Sequence, residues 1–385
     1  MAKAKRKYVC QACGSEANRW QGQCDDCGEW NTLAEEASAT VFELKHHLHS
    51  GGRSVELSGL NTDIKLPDRA STGIAEFDRA LGGGLVPGSA TLLGGDPGIG
   101  KSTLLLQAAA NLARRGLSVA YISGEEAVDQ VRLRARRLGL GDAPVQLAAA
   151  TSVRDILTTM GKGAPPALLV IDSIQVMQSD LIESAPGSVT QVRETAAQLI
   201  QKAKQTGTIL ILVGHVTKDG NLAGPRVLEH MIDSFLMLEG DADGRYRTLR
   251  SIKNRFGAVN ELGIFAMTDQ GLKDVANPSA IFLNRAEIDT PGSIVMAIWE
   301  GTRPLLVEAQ ALVDQSAFSN PRRIAVGFEQ NRLAMLLAVL SRHGGLQVAD
   351  QDVYINAVGG IRVDETSSYL AVLMAVVSSF RISAL

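Results

Sequence analysis

A glycine-rich segment at residues 94–103, GGDPGIGKST, contains the residue types whose spacing most directly predicts chemistry. Gly95, Gly100, Lys101 and Ser102 fit the pattern G-x-x-x-x-G-K-[ST], in which a loop surrounds the phosphates of a nucleoside triphosphate. Glycine allows positive φ angles, so successive backbone N–H groups can point at an anion where the next helix begins. The segment therefore predicts binding of ATP or GTP.

The side chains of this loop predict how the nucleotide and its metal ion are held. Lys101 would neutralise β- and γ-phosphate oxygens, and the Ser102 hydroxyl can bind Mg²⁺, with Thr103 as a second candidate. Apolar residues precede the loop at 90–93, and a helical pattern follows it at 104–113. This strand-loop-helix context is what the motif requires. The residues expected to contact the nucleotide are Gly95, Asp96, Pro97, Gly98, Ile99, Gly100, Lys101, Ser102 and Thr103.

Acidic side chains and a histidine follow other predicted strands. Asp172 ends the apolar run LLVID, where it can bind Mg²⁺ through water at the phosphate edge of the sheet, or cap a helix. Glu125 and Glu126 follow the predicted strand 119–123, and one of them can polarise an attacking water, but the spacing does not choose between them. His215 ends a further strand and can contact the γ-phosphate or serve as a core histidine.

The four cysteines form one local group near the start of the chain. Cys10, Cys13, Cys24 and Cys27 have the spacing C-x2-C-x10-C-x2-C, which can present four thiolates tetrahedrally to Zn²⁺. Iron in a rubredoxin-like site uses the same ligands, and redox-active C-x-x-C pairs are a further alternative. So small a module cannot bury enough surface to fold alone, and we expect the metal to supply its folding energy.

The composition restricts the classes of protein to consider. A length of 385 residues predicts two or three domains, and 45% hydrophobic residues support a large interior. The formal net charge of −3 gives no overall basic signal for nucleic acid, so DNA contacts would depend on local clusters of Lys and Arg. The sequence lacks a long apolar run and a signal peptide, which predicts a cytoplasmic protein with no membrane partner.

Hydrophobic patterning predicts an α/β protein with a mostly parallel sheet covered by helices. Predicted strands alternate with helical patterns such as 152–162 and 188–205, and the strands lie at 90–93, 119–123, 145–149, 167–172 and 208–216. Two antiparallel strands are expected at 246–252 and 262–267, before the pattern breaks near 277–279. Beyond it, β patterns at 293–313 and 353–363 and helical patterns at 330–341 and 367–380 predict an α+β domain. The predicted domains are a ribbon at 1–33, a linker at 34–70, a nucleotide-binding core at 71–275 and a C-terminal domain at 276–385.

Basic residues in two regions suggest contact with phosphates. The loop 217–226 has Lys218 near its start and Arg226 at its end, and the loop 175–187 follows Asp172 at the same sheet edge. In a ring or filament these loops could hold a nucleic-acid backbone, or they are exposed loops without a ligand.

The second basic region is KNRFG, at residues 253–257. Lys253 and Arg255 lie two residues apart on a predicted extended segment, so both side chains point the same way. Together they can reach phosphate oxygens of a nucleotide or of DNA. A charged hairpin end is the alternative.

These segments together resemble the bacterial RadA (Sms) family of DNA repair and recombination proteins, and KNRFG with the four-cysteine ribbon is highly specific to it. The matching stretches are YVCQACGSEANRWQGQCDDCGEWN, STGIAEFDRALGGGLVPGS, GGDPGIGKST, YISGEE, LLVIDSIQ, VGHVTKDGNLAGPRVLEHMID and KNRFG. The resemblance implies a RecA-like ATPase core that forms a ring, usually a hexamer, on single-stranded or branched DNA. It also implies helicase-like promotion of branch migration beside a RecA-type recombinase, with ATP, Mg²⁺ and Zn²⁺ as cofactors.

The same resemblance implies roles for individual residues. It selects Glu125, the first glutamate of YISGEE, as the catalytic glutamate, and Asp172 as the Walker B acid. Lys253 and Arg255 resemble cations that reach the γ-phosphate bound by the neighbouring subunit. The resemblance also implies that the lysine and serine of the glycine-rich loop bind the nucleotide and magnesium. One ATP would then lie between two subunits, and hydrolysis would be weak without assembly on DNA.

The C-terminal domain resembles the Lon protease domain that this family carries. Ser367 falls near the position of the Lon nucleophile, but its neighbours at 365–369 lack the glycines of the protease motif. The partner lysine would lie beyond residue 385, so we expect a scaffold for assembly and DNA binding, with a truncated C-terminus. An ATP-dependent protease and a nucleotide-switched regulatory ring remain the alternatives to a DNA-dependent ATPase motor.

Overall fold

The structure is a computed structural model whose described residues are 7–10, 15–17, 19–36, 68–215, 226–240, 244–283, 290–317 and 319–384. Cys13, Lys218 and most of the predicted linker lie outside them. The chain divides into two compact units. The first comprises Met1–Glu239, Leu249–Val259 and Thr268–Leu272, and the second comprises Gly240–Thr248, Asn260–Met267 and Lys273–Leu385. The second unit becomes continuous at residue 273.

The N-terminal ribbon is a small antiparallel sheet. Its strands are β1 (Lys7–Cys10), β2 (Glu16–Ala17) and β3 (Leu33–Glu36), in the order β2-β1-β3. A buried cluster consists of Cys10, Cys24 and Leu33, with Tyr8 and Ala17 packed against it, and Val9 is also buried. Two of these four buried side chains are thiols, so the described part of this module buries few apolar side chains.

A parallel sheet forms the centre of the first unit. Its strands run in the order β9-β4-β8-β7-β5-β6, and their bounds are β4 (Ala90–Gly95), β5 (Val119–Ser123), β6 (Gln146–Ala149), β7 (Leu168–Asp172), β8 (Ile209–Val213) and β9 (Ser234–Gly240). All residues of the central strands β4 and β8 are buried, which explains their continuous apolar sequences. The helices are α1 (Ala75–Ala80), α2 (Lys101–Arg114), α3 (Val128–Arg137), α4 (Val153–Met160), α5 (Val189–Thr206) and α6 (Arg226–Met231).

The helix boundaries follow from capping residues in the sequence. The Ser152 side chain accepts a hydrogen bond from the backbone N–H of Asp155 and starts α4, and Ser188 starts α5 in the same way. Gly207, with φ of 73°, ends α5 in the left-handed conformation that glycine adopts without steric cost. The strands and helices predicted for this core are present, with bounds that differ from the prediction by at most three residues.

Three further strands continue the sheet in the order β9-β10-β11-β12. They are β10 (Tyr246–Asn254), β11 (Leu262–Thr268) and β12 (Gly271–Asp274). Their connections are too short for a parallel crossover, so the strands are antiparallel. The sequence predicts β10 and β11 as antiparallel strands but does not predict β12. The turn at residues 255–261 after β10 contains the end of the KNRFG segment.

The second unit contains a four-stranded sheet in the order β13-β14-β16-β15. Its elements are β13 (Ser293–Glu300), β14 (Arg303–Gln315), β15 (Arg323–Val326), α7 (Gln330–Gly344), β16 (Gln351–Ala357) and α8 (Ser368–Arg381). This agrees with the predicted α+β character. Among the residues that the structure describes, no helix combines the length and the apolar character needed to cross a membrane.

Candidate nucleotide-binding site

The glycine-rich loop connects the buried strand β4 to helix α2, as its motif predicts. Gly95 has φ of 148°, and a Cβ added there would lie 2.4 Å from the Leu238 carbonyl oxygen. Gly100 has φ of 117° and is the N-cap of α2, so the backbone turns directly into the helix N-terminus. Only glycine fits at Gly95, because a side chain would collide with the neighbouring strand β9.

Lys101 is the cation at the centre of this loop. Its side chain is buried, and Nζ donates to the carbonyl oxygens of Gly95 at 2.6 Å and Asp96 at 2.9 Å. Burial lowers the pKa of Lys101, and the nearby carboxylates of Asp172, Asp96 and Glu125 oppose this shift only in part. The ammonium is therefore held by neutral carbonyl groups beside three acidic side chains, and additional anionic oxygens there would raise this lowered pKa.

The carboxyl ends of β5, β7 and β8 place Glu125, Asp172 and His215 around the loop. His215 Nδ1 lies 3.3 Å from Lys101 Nζ, and its Nε2 lies 3.3 Å from Glu125 Oε1. A neutral imidazole with its proton on Nε2 satisfies both contacts, because it accepts from the ammonium and donates to the carboxylate. His215 thus bridges the phosphate-loop cation and the first acid of YISGEE.

Glu125 and Glu126 have different surroundings. The Ser173 hydroxyl donates to Glu125 Oε1 at 2.5 Å. Burial would raise the pKa of Glu125, but hydrogen bonds from Ser173 and His215, with the charge of Lys101, outweigh it and lower this pKa below its ordinary value. Glu126 instead forms an ion pair with Arg134 of α3, with Oε1 at 2.5 Å from the guanidinium nitrogen. The two neighbours in sequence therefore occupy different charge environments.

The first unit has a cavity of about 320 Å³ at this place. It is lined by Pro97, Gly98, Gly100, Lys101, Ser102, Thr103, Ser123, Glu125, Glu126, Arg134, Asp172 and His215. Gly95, Asp96 and Ile99 are outside this lining and form the turn beneath it. The hydroxyl of Ser102 and the carboxylate of Asp172 are hard oxygen donors in one cavity, and this donor set fits Mg²⁺.

Tyr121 and Ser173 are parts of the site that the sequence analysis missed. Tyr121 lies inside β5, and its hydroxyl donates to Asp172 Oδ2 at 2.5 Å. Burial, followed by the charge of Asp172, raises the pKa of Tyr121 well above its ordinary value, so the phenol stays protonated. A tyrosine within a predicted buried strand indicates a buried polar contact, since its hydroxyl needs a hydrogen-bond partner. The sequence does not identify that partner.

Lys253 and Arg255 lie away from this cavity. The Lys253 ammonium donates to the carbonyl oxygens of Glu229 and Ile232, at the end of α6. Arg255 pairs with Asp233, with its guanidinium nitrogen 3.0 Å from Oδ1. Burial and the charge of Arg255 lower the pKa of Lys253. Both cations therefore point at residues 229–233.

The position of Asp233 locates these cations relative to the loop. Asp233 Oδ2 accepts a hydrogen bond of 3.0 Å from the backbone N–H of Ala90, the first residue of β4. The phosphate loop begins at Gly95, the last residue of the same strand. At about 3.3 Å per residue the two ends of β4 are about 17 Å apart. Lys253 and Arg255 consequently lie at the opposite edge of the sheet from Lys101 of their own chain.

Three of the four predicted metal-binding cysteines are described, and they lie together. The sulfur atoms of Cys10, Cys24 and Cys27 are all within 4.8 Å of one another, and Cys10 and Cys27 are 3.7 Å apart. Thiolates bound tetrahedrally to zinc at about 2.3 Å are about 3.8 Å apart, so this spacing fits a metal. Cys10 and Cys24 are buried, whereas Cys27 is exposed.

The predicted DNA contacts fall largely outside the described residues. Lys218 belongs to the segment 216–225, outside the described residues, and Arg226 begins α6 with only its backbone described. In the second unit, the Ser367 hydroxyl donates to a carboxylate oxygen of Glu365 at 2.8 Å. That contact differs from the lysine partner of a Lon-type nucleophile.

Comparison with known proteins agrees with these features. Residues 65–221 match the family model described as an AAA domain, and residues 8–35 match the rubredoxin metal binding domain. The parallel sheet, the phosphate loop and the acidic edge define a RecA-like P-loop nucleotide-binding protein with an N-terminal metal-binding ribbon.

Full-length relatives identify the family. The chain is 58% identical over 388 residues to the DNA repair protein RadA of Salmonella typhimurium and to that of Escherichia coli, covering 99% of this chain and 84% of each relative. It is 45% identical to the DNA repair protein RadA of Bacillus subtilis over 386 residues, with the same coverage. The chain belongs to the RadA family of DNA repair proteins.

Proposed function

We propose that this protein is a DNA-dependent ATPase that acts as a ring helicase or translocase on single-stranded DNA and promotes branch migration in recombination and repair. The observation that carries the proposal is the junction of Lys101, Glu125 and His215 beside Asp172 in one cavity. A site that only binds nucleotide needs the loop and its lysine. A carboxylate held ionised beside that lysine is what hydrolysis additionally requires.

Each residue of the cavity has a defined task in this proposal. Lys101 and the loop N–H groups bind the phosphates, and Ser102 and Asp172 would hold Mg²⁺, which supplies neutralising charge to the phosphate oxygens. Glu125 orients the attacking water and accepts its proton, because its lowered pKa keeps it as a carboxylate. His215 connects Glu125 to Lys101, so it can respond to the loss of the γ-phosphate.

The opposite edge of the sheet supports assembly into a ring. Lys253 and Arg255 lie about 17 Å of strand away from the loop of their own chain, too far to touch its nucleotide. A head-to-tail ring brings one edge of each subunit against the other edge of its neighbour. We infer that these cations complete the neighbour's site, as arginine fingers do, in a homo-oligomer that is a hexamer.

A link between DNA and this inter-subunit site is supported by α6. The segment 216–225, which contains Lys218, lies between His215 and Arg226, the first residue of α6. The other end of α6 supplies the Glu229 carbonyl oxygen that binds the Lys253 ammonium. DNA held by Lys218 and Arg226 would therefore act on both edges, through His215 on one side and through α6 on the other.

ATP hydrolysis measured with and without single-stranded DNA tests the proposal. We expect strong stimulation by DNA, together with a ring-sized mass of the assembled protein. Lys101→Ala should abolish hydrolysis, because it removes the phosphate-loop cation. Equal turnover with and without DNA would contradict the proposal.

Strand displacement on branched DNA separates a motor from a regulatory ring. A motor displaces strands only while it hydrolyses ATP, whereas a nucleotide-switched ring binds the DNA and leaves it paired. We expect displacement by the wild type, none by Lys101→Ala, and a higher yield when a RecA-type recombinase is present. Binding without displacement would favour the regulatory ring.

We also propose that the ribbon holds one Zn²⁺ through Cys10, Cys13, Cys24 and Cys27. The close sulfur atoms of the three described cysteines support a closed structural site. Metal analysis of purified protein should give one zinc per chain, and Cys27→Ser should lower it. Iron as the bound metal, or a reversible disulfide in its place, would contradict this assignment.

A further inference from the structure

The Tyr121 hydroxyl contacts Asp172, one of the two residues expected to hold the metal ion. Tyr121 is 1% exposed, and its Oη donates to Asp172 Oδ2 at 2.5 Å. One buried group of β5 therefore contacts the last residue of β7.

The direction of this hydrogen bond follows from the groups involved. A phenol has one hydrogen, and an ionised carboxylate can only accept, so Tyr121 donates to Asp172. On Asp172, the bond fixes the carboxylate orientation through Oδ2 and leaves Oδ1 available.

We propose that Tyr121 is a positioning residue that orients Asp172 as an oxygen ligand for the divalent cation accompanying the nucleotide. The inference rests on the proposed function of the cavity and adds a residue that touches neither substrate nor metal. Partners of this kind fix the orientation of ligands, and their removal typically weakens metal affinity about 10- to 100-fold.

A purely structural role for the hydroxyl predicts a different outcome. A packing or folding role would change the stability of the first unit and the affinity for nucleotide with or without metal. An orienting role acts only when the cation is bound, because the lysine and the loop N–H groups bind phosphates independently of Tyr121. The two roles can therefore be separated by varying the metal.

The experiment compares the full-length wild type with Tyr121→Phe, which keeps the ring and its volume. Free Mn²⁺ is measured by electron paramagnetic resonance during titration of protein with Mn²⁺ and ADP, and a fluorescent ADP analogue reports nucleotide affinity in EDTA. We expect Mn²⁺ to bind about 10- to 100-fold more weakly to Tyr121→Phe, with nucleotide affinity in EDTA unchanged. The matched control is Tyr369→Phe, which removes a phenol hydroxyl bonded to Arg332 in the second unit.

A double-mutant cycle with Asp172→Asn provides a second measurement. If Tyr121 acts through Asp172, Tyr121→Phe should weaken Mn²⁺ binding less in the Asp172→Asn background than in the wild type. Equal Mn²⁺ affinity of Tyr121→Phe and wild type would overturn the proposal. So would parallel losses of nucleotide affinity with and without metal, or full additivity in the cycle. An absence of DNA-stimulated hydrolysis in the wild type would instead overturn the proposed function, without changing these ratios.

Discussion

The two ends of strand β4 carry cations in opposite situations. At the Gly95 end, Lys101 faces a cavity shared with Glu125, Asp172 and His215. At the Ala90 end, Arg255 is held by the Asp233 carboxylate, and Lys253 by backbone carbonyl oxygens. One end is a concave site with its charged groups already in mutual contact, and the other presents cations bound to their own chain.

On the proposed function, this difference would divide the work between subunits. The loop end would bind a nucleotide within a single chain. The Ala90 end would act only when a second chain brings phosphates to it, because Lys253 and Arg255 would then exchange their present acceptors for phosphate oxygens. The four predictions below test whether the two ends belong to one composite site, in order of decreasing effect.

Of the four changes, removing the cations at the Ala90 end should slow ATP hydrolysis the most, and it should leave ATP binding by the unassembled chain unchanged. We expect Lys253→Ala and Arg255→Ala to lower DNA-stimulated ATP hydrolysis by about 10³- to 10⁵-fold, the range for arginine fingers. ATP affinity of the unassembled chain should not change, because the cavity is untouched. The measurements are steady-state hydrolysis with DNA and binding of a fluorescent ATP analogue without it. Weakened binding in the unassembled chain would place these cations in their own site.

Mixing two inactive variants tests the composite site directly. In a head-to-tail ring, a Lys101→Ala subunit can still offer Lys253 and Arg255 to an Arg255→Ala neighbour whose loop is intact. An equal mixture should therefore regain hydrolysis at about one quarter of the subunit junctions, by random assembly in such a ring. Activity no higher than that of the separate variants would show that both ends serve the same chain.

Paired substitutions of the neighbouring glutamates compare groups within the loop end. Glu125→Gln should lower hydrolysis by about 10²- to 10⁴-fold while retaining ATP binding, because it removes the carboxylate in contact with His215. Glu126→Gln is the matched control, and it should act mainly by loosening the ion pair with Arg134. Single-turnover hydrolysis gives both values. A larger loss in Glu126→Gln would reverse the assignment.

The smallest predicted effect is a shift in pH dependence. The Ser173 hydrogen bond favours the ionised form of Glu125, whose pKa lies below its ordinary value of 4.5. In the wild type Glu125 therefore stays ionised as the pH falls towards 4.5, and any stability from its ionisation is lost only below that value. Ser173→Ala should raise this pKa and move the acidic limb of the hydrolysis rate to higher pH. Ser123→Ala, which removes a hydroxyl bonded to the Glu126 N–H, should leave that limb in place.

Much of the fold and of the loop end could be predicted from local sequence. The glycine-rich loop, the strand ends at Ser123 and Asp172, and the serine caps at 152 and 188 are each encoded within a few residues. Parallel strands then bring their carboxyl ends to one edge, so the grouping of Asp172 with Lys101 follows from topology. Less predictable were the exact bounds of β8, which ends two residues before His215.

The sequence by itself determined a phosphate-binding loop, an acidic strand edge and a cysteine module, because each depends on residue type and short spacing. Tertiary structure alone decided which partner each charged group has. Glu126 pairs with Arg134, Tyr121 donates to Asp172, and the two KNRFG cations face the far end of β4. These contacts join residues brought together only when strands distant in sequence pair in the sheet, and local patterns carry no record of that pairing.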